Sequence, residues 1–282
     1  MQGGEPSAGF AGAILGGGSE GGRRGPLRGK PSPQMGPFHQ PPRVAAVAGT
    51  LYVVATPIGN LEDLTLRALR ILRDAHLIAA EDTRRTRILL AHHGITTPTT
   101  SYYEQNKWRK GPELLRLLLE GKSVALVTDA GTPGISDPGS HLVQLAHAAG
   151  IPIVPIPGAT AVAAALSVAG FPADRFIFEG FLPTRPGRRL ARLRELQAAD
   201  RTVVVYEGPH RLLKTLAAIG EVFGEVEMVC CRELTKQFEE VRRGTPSTLI
   251  SHYGTHGVRG ECTLVLRGED RAVQAKPDRS LS

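Results

Sequence analysis

Cysteine is scarce, with three in 282 residues. Cys230 and Cys231 are adjacent, so along a strand they face opposite sides and make poor disulfide partners. Free, reduced thiols suit a cytoplasmic setting. Histidine, cysteine and carboxylates nowhere recur at metal-ligand spacing, so no metal is implied. Long apolar runs are missing too. The longest, 159–170, falls well short of the ~20 residues that span a bilayer. No basic segment leads into an apolar core, as a signal peptide would require. The reading therefore leaves no place for a membrane.

Glycine and proline, by contrast, crowd one end. Residues 1–48 hold 12 of the 33 glycines and 7 of the 21 prolines. That exceeds the roughly 25–30% at which a segment without a period reads as disordered. Residues 1–48 are expected to be a dispensable flexible tail, and 271–282 a flexible C-terminus. A chain begun at Val47 should keep its melting temperature and its activity.

The most telling stretch is Thr128-Asp129-Ala130-Gly131-Thr132-Pro133-Gly134-Ile135-Ser136-Asp137-Pro138-Gly139. It follows the apolar strand 123–127. Asp137-Pro138 can cap and open a helix running from about 140 to 149, with Gly150 as its stop. The run is thus a long loop with two carboxylates and three hydroxyls at the carboxyl end of a strand, where open α/β sheets bind ligands. A second loop, Thr56-Pro57-Ile58-Gly59-Asn60-Leu61-Glu62-Asp63, follows the strand 51–55. Pro57 removes a donor, one glycine is present and no lysine is near, so this loop lacks both GxGxxG and GxxxxGK[ST] and does not grip a pyrophosphate. Taken alone it reads more commonly as a plain β-turn-α connection. Ile156-Pro157-Gly158-Ala159-Thr160 then opens a helix of small residues, 161–169, that would let backbone approach a ligand or pack tightly between domains.

The formal charge is +7. The tail contributes five Arg/Lys against two Glu, leaving +4 for the rest. That excess is modest but clustered. Arg185, Arg188, Arg189, Arg192, Arg194 and Arg201 are opposed only by Glu195 and Asp200, and Arg84, Arg85 and Arg87 form a smaller group. Clustered arginine is the footprint of nucleic-acid binding, although a solvated helix face would equally explain 188–194. Residues 100–110 show neither helical nor strand period. They combine Tyr102, Tyr103 and the single Trp108 with Asn106 and three cations, the chemistry that holds single-stranded RNA, although a surface loop whose aromatics pack down onto the domain would also explain them.

Strands are expected near 51–55, 76–80, 123–128 and 152–155, alternating with helices or long loops, which predicts a mostly parallel sheet. In the second half, strands at 175–182, 202–207, 225–234, 238–243 and 261–267, with helices at 188–198, 209–220 and 246–253, predict a mixed sheet. The expected division is an α/β domain over 49–158 and a second over 159–270.

Eight segments in this order carry a resemblance: TPIGN (56–60), AAEDTR (79–84), SYYEQN (101–106), VTDAGTPGISDPG (127–139), PIPGAT (155–160), FEGFLP (178–183), YEGPHR (206–211) and CRELTKQFEE (231–240). Together, over about 49–268, they resemble the bacterial small-subunit rRNA 2′-O-methyltransferases of the tetrapyrrole-methylase superfamily. Gly208 departs from the serine more usual before Pro-His-Arg. The resemblance implies the two-domain class III methyltransferase fold, S-adenosylmethionine as methyl donor and a homodimer. It also implies a decoding-centre cytidine ribose of 16S rRNA, free or in the small ribosomal subunit, as target.

On that basis Thr56, Pro57, Asp129, Ala130, Gly131, Thr132, Pro133, Gly158, Ala159 and Thr160 are the expected cofactor contacts. Asp82, Glu104, Lys236 and Glu239, with Glu81 nearby, are the candidates for proton transfer. Each of the acids could instead pair with one of the abundant arginines. Arg84, Arg85, Tyr102, Tyr103, Asn106, Trp108, Arg188, Arg189, Arg192, His210 and Arg211 are the expected RNA contacts. A tetrapyrrole or protein substrate, and a non-enzymatic rRNA-binding module, stand as alternatives. Copurifying absorbance would separate the first, and calorimetry with S-adenosylmethionine the second.

Overall fold

A computed structural model describes residues 48–137 and 139–268. The expected tail and C-terminus fall outside them except for Ala48, which is exposed. The described residues belong to one compact unit containing two five-stranded sheets.

The first half runs β1 (Leu51–Val54), α1 (Leu66–Asp74), β2 (Leu77–Ala80), α2 (Thr83–His92), β3 (Thr99–Ser101), α3 (Lys107–Leu119), β4 (Val124–Val127), α4 (Gly139–Ala148) and β5 (Ile153–Ile156). Its sheet has the order β3-β2-β4-β1-β5, and every pairing is parallel. β4, Val-Ala-Leu-Val, is buried at all four positions, as a central strand covered on both faces must be. From β1 the chain crosses over toward β2. From its neighbour β4 it crosses the opposite way, toward β5. α1 and α2 therefore pack on one face, with Leu72 and Leu89, and α3 and α4 on the other, with Leu114 and Leu142. Between β1 and β4 the winding reverses, and the crevice at their carboxyl ends is where such sheets bind ligands.

α5 (Ala161–Ala169), closed by Gly170 at φ 66°, leads into the second sheet. There follow β6 (Phe176–Phe181), α6 (Pro186–Ala198), β7 (Thr202–Glu207), α7 (Leu212–Phe223), β8 (Met228–Arg232), β9 (Glu240–Gly244), α8 (Pro246–His256) and β10 (Cys262–Leu266). The order is β6-β7-β10-β8-β9. β6 and β7 are parallel and the rest antiparallel, the mixed sheet expected. Cys230 faces the core under α6, α7 and α8, while Cys231 faces α5 on the opposite side.

The segment 100–110 departs from its reading. β3 ends at Ser101 and α3 begins at Lys107, so Trp108 stands on the first turn of a helix. Gly111 and Pro112 lie inside that helix and mask its period.

Candidate active site

The loops after β1 and β4 are joined. Thr56 N donates to Gly131 O at 2.9 Å and Gly131 N to Thr56 O at 3.1 Å. Thr56 Oγ1 adds a bond to Thr128 O at 3.1 Å. Gly131 has φ 88°, a conformation open to glycine and strained for other residues. Further along, Asp137 accepts from Gly134 N at 2.8 Å and Gly139 N at 2.7 Å, fixing the far end of the loop on α4.

Three consecutive links bind the carboxylates at this crevice. Glu81 Oε2 accepts from Thr128 Oγ1 at 2.6 Å and from Asp129 N at 3.2 Å. Asp129 Oδ1 in turn accepts from Asp82 N at 2.9 Å. Arg85 lies 3.4 Å from Asp129. Burial, and then the neighbouring Glu81, push the Asp129 carboxyl above the ordinary range.

The second sheet closes the crevice from above. After β8 the chain turns through Glu233 at φ 51° and Thr235 at φ 66°, non-glycine residues held in a left-handed conformation. Their supports are visible: Thr235 N donates to Glu239 Oε2 at 2.5 Å, and Asn60 N to Thr235 Oγ1 at 3.0 Å. Gly59 lies under this turn so closely that a Cβ there would come within 2.5 Å of Lys236 Cγ. Lys236 Nζ sits 2.8 Å from Glu233 and 3.1 Å from Glu261. Burial works against its charge, but the hydrogen bonds to these two carboxylates prevail and hold Lys236 above the ordinary lysine value.

The enclosed space is a cavity of about 420 Å³. Its N-terminal wall includes Asp129–Thr132 and Thr160, and its C-terminal wall Phe181, Tyr206, Gly208 and Leu234. A second cavity of about 400 Å³ adjoins it, between the Thr56–Gly59 loop and Arg85, Ile88 and Leu89 of α2. Ile58, Arg85, Asp129 and Lys236 line both. The pair offers apolar patches, acids that attract a cationic group and two cations for an anionic one.

Of the expected cofactor contacts, Asp129, Ala130, Gly131, Thr132 and Thr160 line the first cavity, while Thr56 and Pro57 line the second. Pro133, Gly158 and Ala159 line neither. Gly158 instead packs on Ala55, and Ala159 O accepts from Thr132 Oγ1 at 3.4 Å.

Among the acid–base candidates only Lys236 reaches the cavities, and as a protonated cation it is no proton acceptor. Asp82 caps α2 through Arg84 N, and hydrogen bonds from Arg84 hold its carboxyl down at about 2. Glu104 pairs with Lys107, and Glu239 is spent on Thr235 N. Glu81, named beside that set, and Asp137, Glu207, Glu233 and Glu261, outside it, are the other acids in the wall of the first cavity. Glu81 was legible from its place next to Asp82 at the end of β2.

Several expected RNA contacts turn inward. Tyr102 is 1% exposed, and its hydroxyl lies 2.9 Å from His141 Nδ1. Burial pushes that phenol up to about 12, and no base can stack on it. Asn106 is buried, bonding Tyr103 N and Ser101 O to close the turn before α3. Arg211 donates to Leu182 O and pairs with buried Glu207, and Arg192 lies between Glu179 and Glu195. Arg189 is buried. Arg84, Arg85, Arg188, Tyr103, Trp108 and His210 remain exposed. Trp108, 72% exposed, rests edge-on against His141.

The tetrapyrrole (corrin/porphyrin) methylases match residues 50–250. The ribosomal RNA small subunit methyltransferase I of Pseudomonas aeruginosa is 50% identical over 224 residues, 78% of this chain and 79% of that protein. This chain belongs to that family. The ribosomal RNA small subunit methyltransferase I of Thermotoga maritima is 48% identical over 222 residues, 79% of this chain and all of that one. The fold extends further: a uroporphyrin-III C-methyltransferase of Thermus thermophilus, solved with S-adenosylhomocysteine, superposes with a TM-score of 0.55. It is 20% identical and is covered in full by 81% of this chain. Among the described residues no three His, Cys or acidic side chains group as a metal site would require, and no helix is long and apolar enough to cross a membrane.

Proposed function

We propose that this methyltransferase modifies the ribose 2′-hydroxyl of a cytidine in the decoding centre of 16S rRNA, using S-adenosylmethionine. The single observation that carries the reading is the pair of adjoining cavities with Asp129 in their common wall. The first fits the cofactor. Its volume suits a molecule of nucleoside size, its lining combines apolar and hydroxyl groups, and its acids favour a sulfonium cation. Asp129, Ala130, Gly131, Thr132 and Thr160 would hold it. The bound cofactor supplies an electrophilic methyl group.

Positioning supplies most of the rate in such an in-line transfer, and the joined loops are built for rigidity. Lys236, kept cationic, stabilises negative charge as it grows on the attacking ribose oxygen. The hydroxyl proton passes to a carboxylate: Asp129 and Glu261 face both cavities, but Glu261 is paired with Lys236, and burial makes Asp129 a better acceptor than an ordinary aspartate. Arg84, Arg85, Tyr103 and Trp108 lie open for phosphates and bases. A homodimer in the cytoplasm, acting on 16S rRNA or on the small ribosomal subunit, completes the proposal.

Mass spectrometry of 16S rRNA from cells lacking this chain tests it. One ribose methyl group missing at a cytidine is the expected result, and its restoration needs an intact Asp129. An unchanged rRNA methylation pattern would overturn the reading.

A further inference from the structure

β6 and β7 run side by side and parallel, so the turns that leave them start α6 and α7 at one edge of the sheet. Arg211 Nη2 ties those turns together through Leu182 O at 2.7 Å. Neither helix has a side-chain cap or an acidic residue in its first turn. α6 opens instead on Arg185, Arg188 and Arg189, cations at the end of the helix where the dipole favours anions.

One of these arginines is buried without a partner. Arg189 is 7% exposed, and among the described residues nothing bonds its Nε and no carboxylate pairs with it. Buried charge in that state is costly and rare unless something else neutralises it. Helical side chains lean toward the N-terminus, and Arg189 stands close to the N-terminal end of α6. That end has room: a Cβ added at Gly187 would meet nothing within 4 Å. Arg192, by contrast, already has Glu179 and Glu195.

We infer that the first turn of α6 seats one phosphate group of the RNA strand, held by Arg189 from within, by exposed Arg185 and Arg188, and by the N–H groups of Gly187 and Arg188. The seat rests on the rRNA reading for its source of phosphate. It lies a few residues past Phe181, which lines the first cavity, so a strand held here is delivered to the mouth of the site.

The test uses the full chain carrying Arg189→Met. Removing an unpartnered buried charge should leave the melting temperature unchanged or higher. RNA affinity should drop, and the slope of log affinity against log salt should become shallower by about one. Calorimetry with S-adenosylmethionine should give the wild-type affinity. Arg188→Ala, an exposed change that cannot unfold the chain, should lower the salt slope in the same way. Inorganic phosphate should raise the melting temperature of the wild type but not of Arg189→Met. A lower melting temperature with an unchanged slope in both variants would overturn the seat. If phosphate protects only the wild type while no RNA binds at all, the seat stands and the rRNA reading fails.

Discussion

Thr56 and Gly131, 75 positions apart, exchange both backbone hydrogen bonds and so make the ends of β1 and β4 a single rigid rim. Gly131→Ala forces a side chain into a left-handed conformation and should cost roughly 1–2 kcal/mol. Thr56→Val keeps the shape and loses the buried bond to Thr128 O, at about 1 kcal/mol. Thermal melts measure both losses. Cofactor affinity should fall more for Gly131→Ala, because its strain is applied at the cavity wall.

Asp129 makes two opposite pH predictions. Its pKa in the folded chain is raised, by burial first and Glu81 second, so the folded state takes up this proton before the unfolded state does. The stability it contributes is therefore present at low pH and lost as pH rises through the raised value. Asp129→Asn should gain melting temperature relative to wild type from the ordinary carboxylate range upward. Cofactor binding should run the other way, weakening in the wild type as pH falls and the carboxylate is neutralised. In the variant, titrations should be weak and nearly flat with pH.

Glu207 is fully buried and holds Arg211 at 3.2 Å, Gly208 N at 2.8 Å and Thr215 Oγ1 at 2.5 Å. Glu207→Ala strands the guanidinium and should cost about 3 kcal/mol, or roughly 10 °C in a domain of this size. Calorimetric scanning checks it. A shift of only a degree or two would mean that Arg211 swings out to solvent.

Tyr102 and Trp108 should separate cleanly. Tyr102→Ala empties a core site and should destabilise by roughly 3–5 kcal/mol. Trp108→Ala should leave stability within about 1 kcal/mol and instead weaken RNA binding by ~1–3 kcal/mol where a base stacks. Equal RNA affinity before and after the Trp108 change would remove that ring from the substrate surface.

Most strands, and the two loops that line the site, were legible because parallel buried strands are apolar runs punctuated by turn residues: Val124–Val127 followed by Asp129 to Asp137 could scarcely be anything else. β3 was not legible. Its Thr-Thr-Ser is short and polar and is a strand only because β2 pairs with it. Nor was the fate of individual polar residues, since that depends on neighbours distant in sequence. Arg189 and Arg188 are adjacent and chemically identical, yet the helical turn buries one and exposes the other. Tyr102 and Tyr103 divide in the same way at the end of β3. Proximity in sequence likewise marked Asp82 as an active-site acid, whereas its side chain is consumed by capping α2.

The contact of Gly59 with Thr235 and Lys236 has a consequence for how this chain can vary. Two segments some 175 positions apart meet with no spare volume, so they form one inherited unit. A hybrid that takes the first sheet from one relative and the second from another should fail unless both segments come from the same parent. Transplanting the 56–60 loop together with 233–239 should restore it, where either graft alone does not.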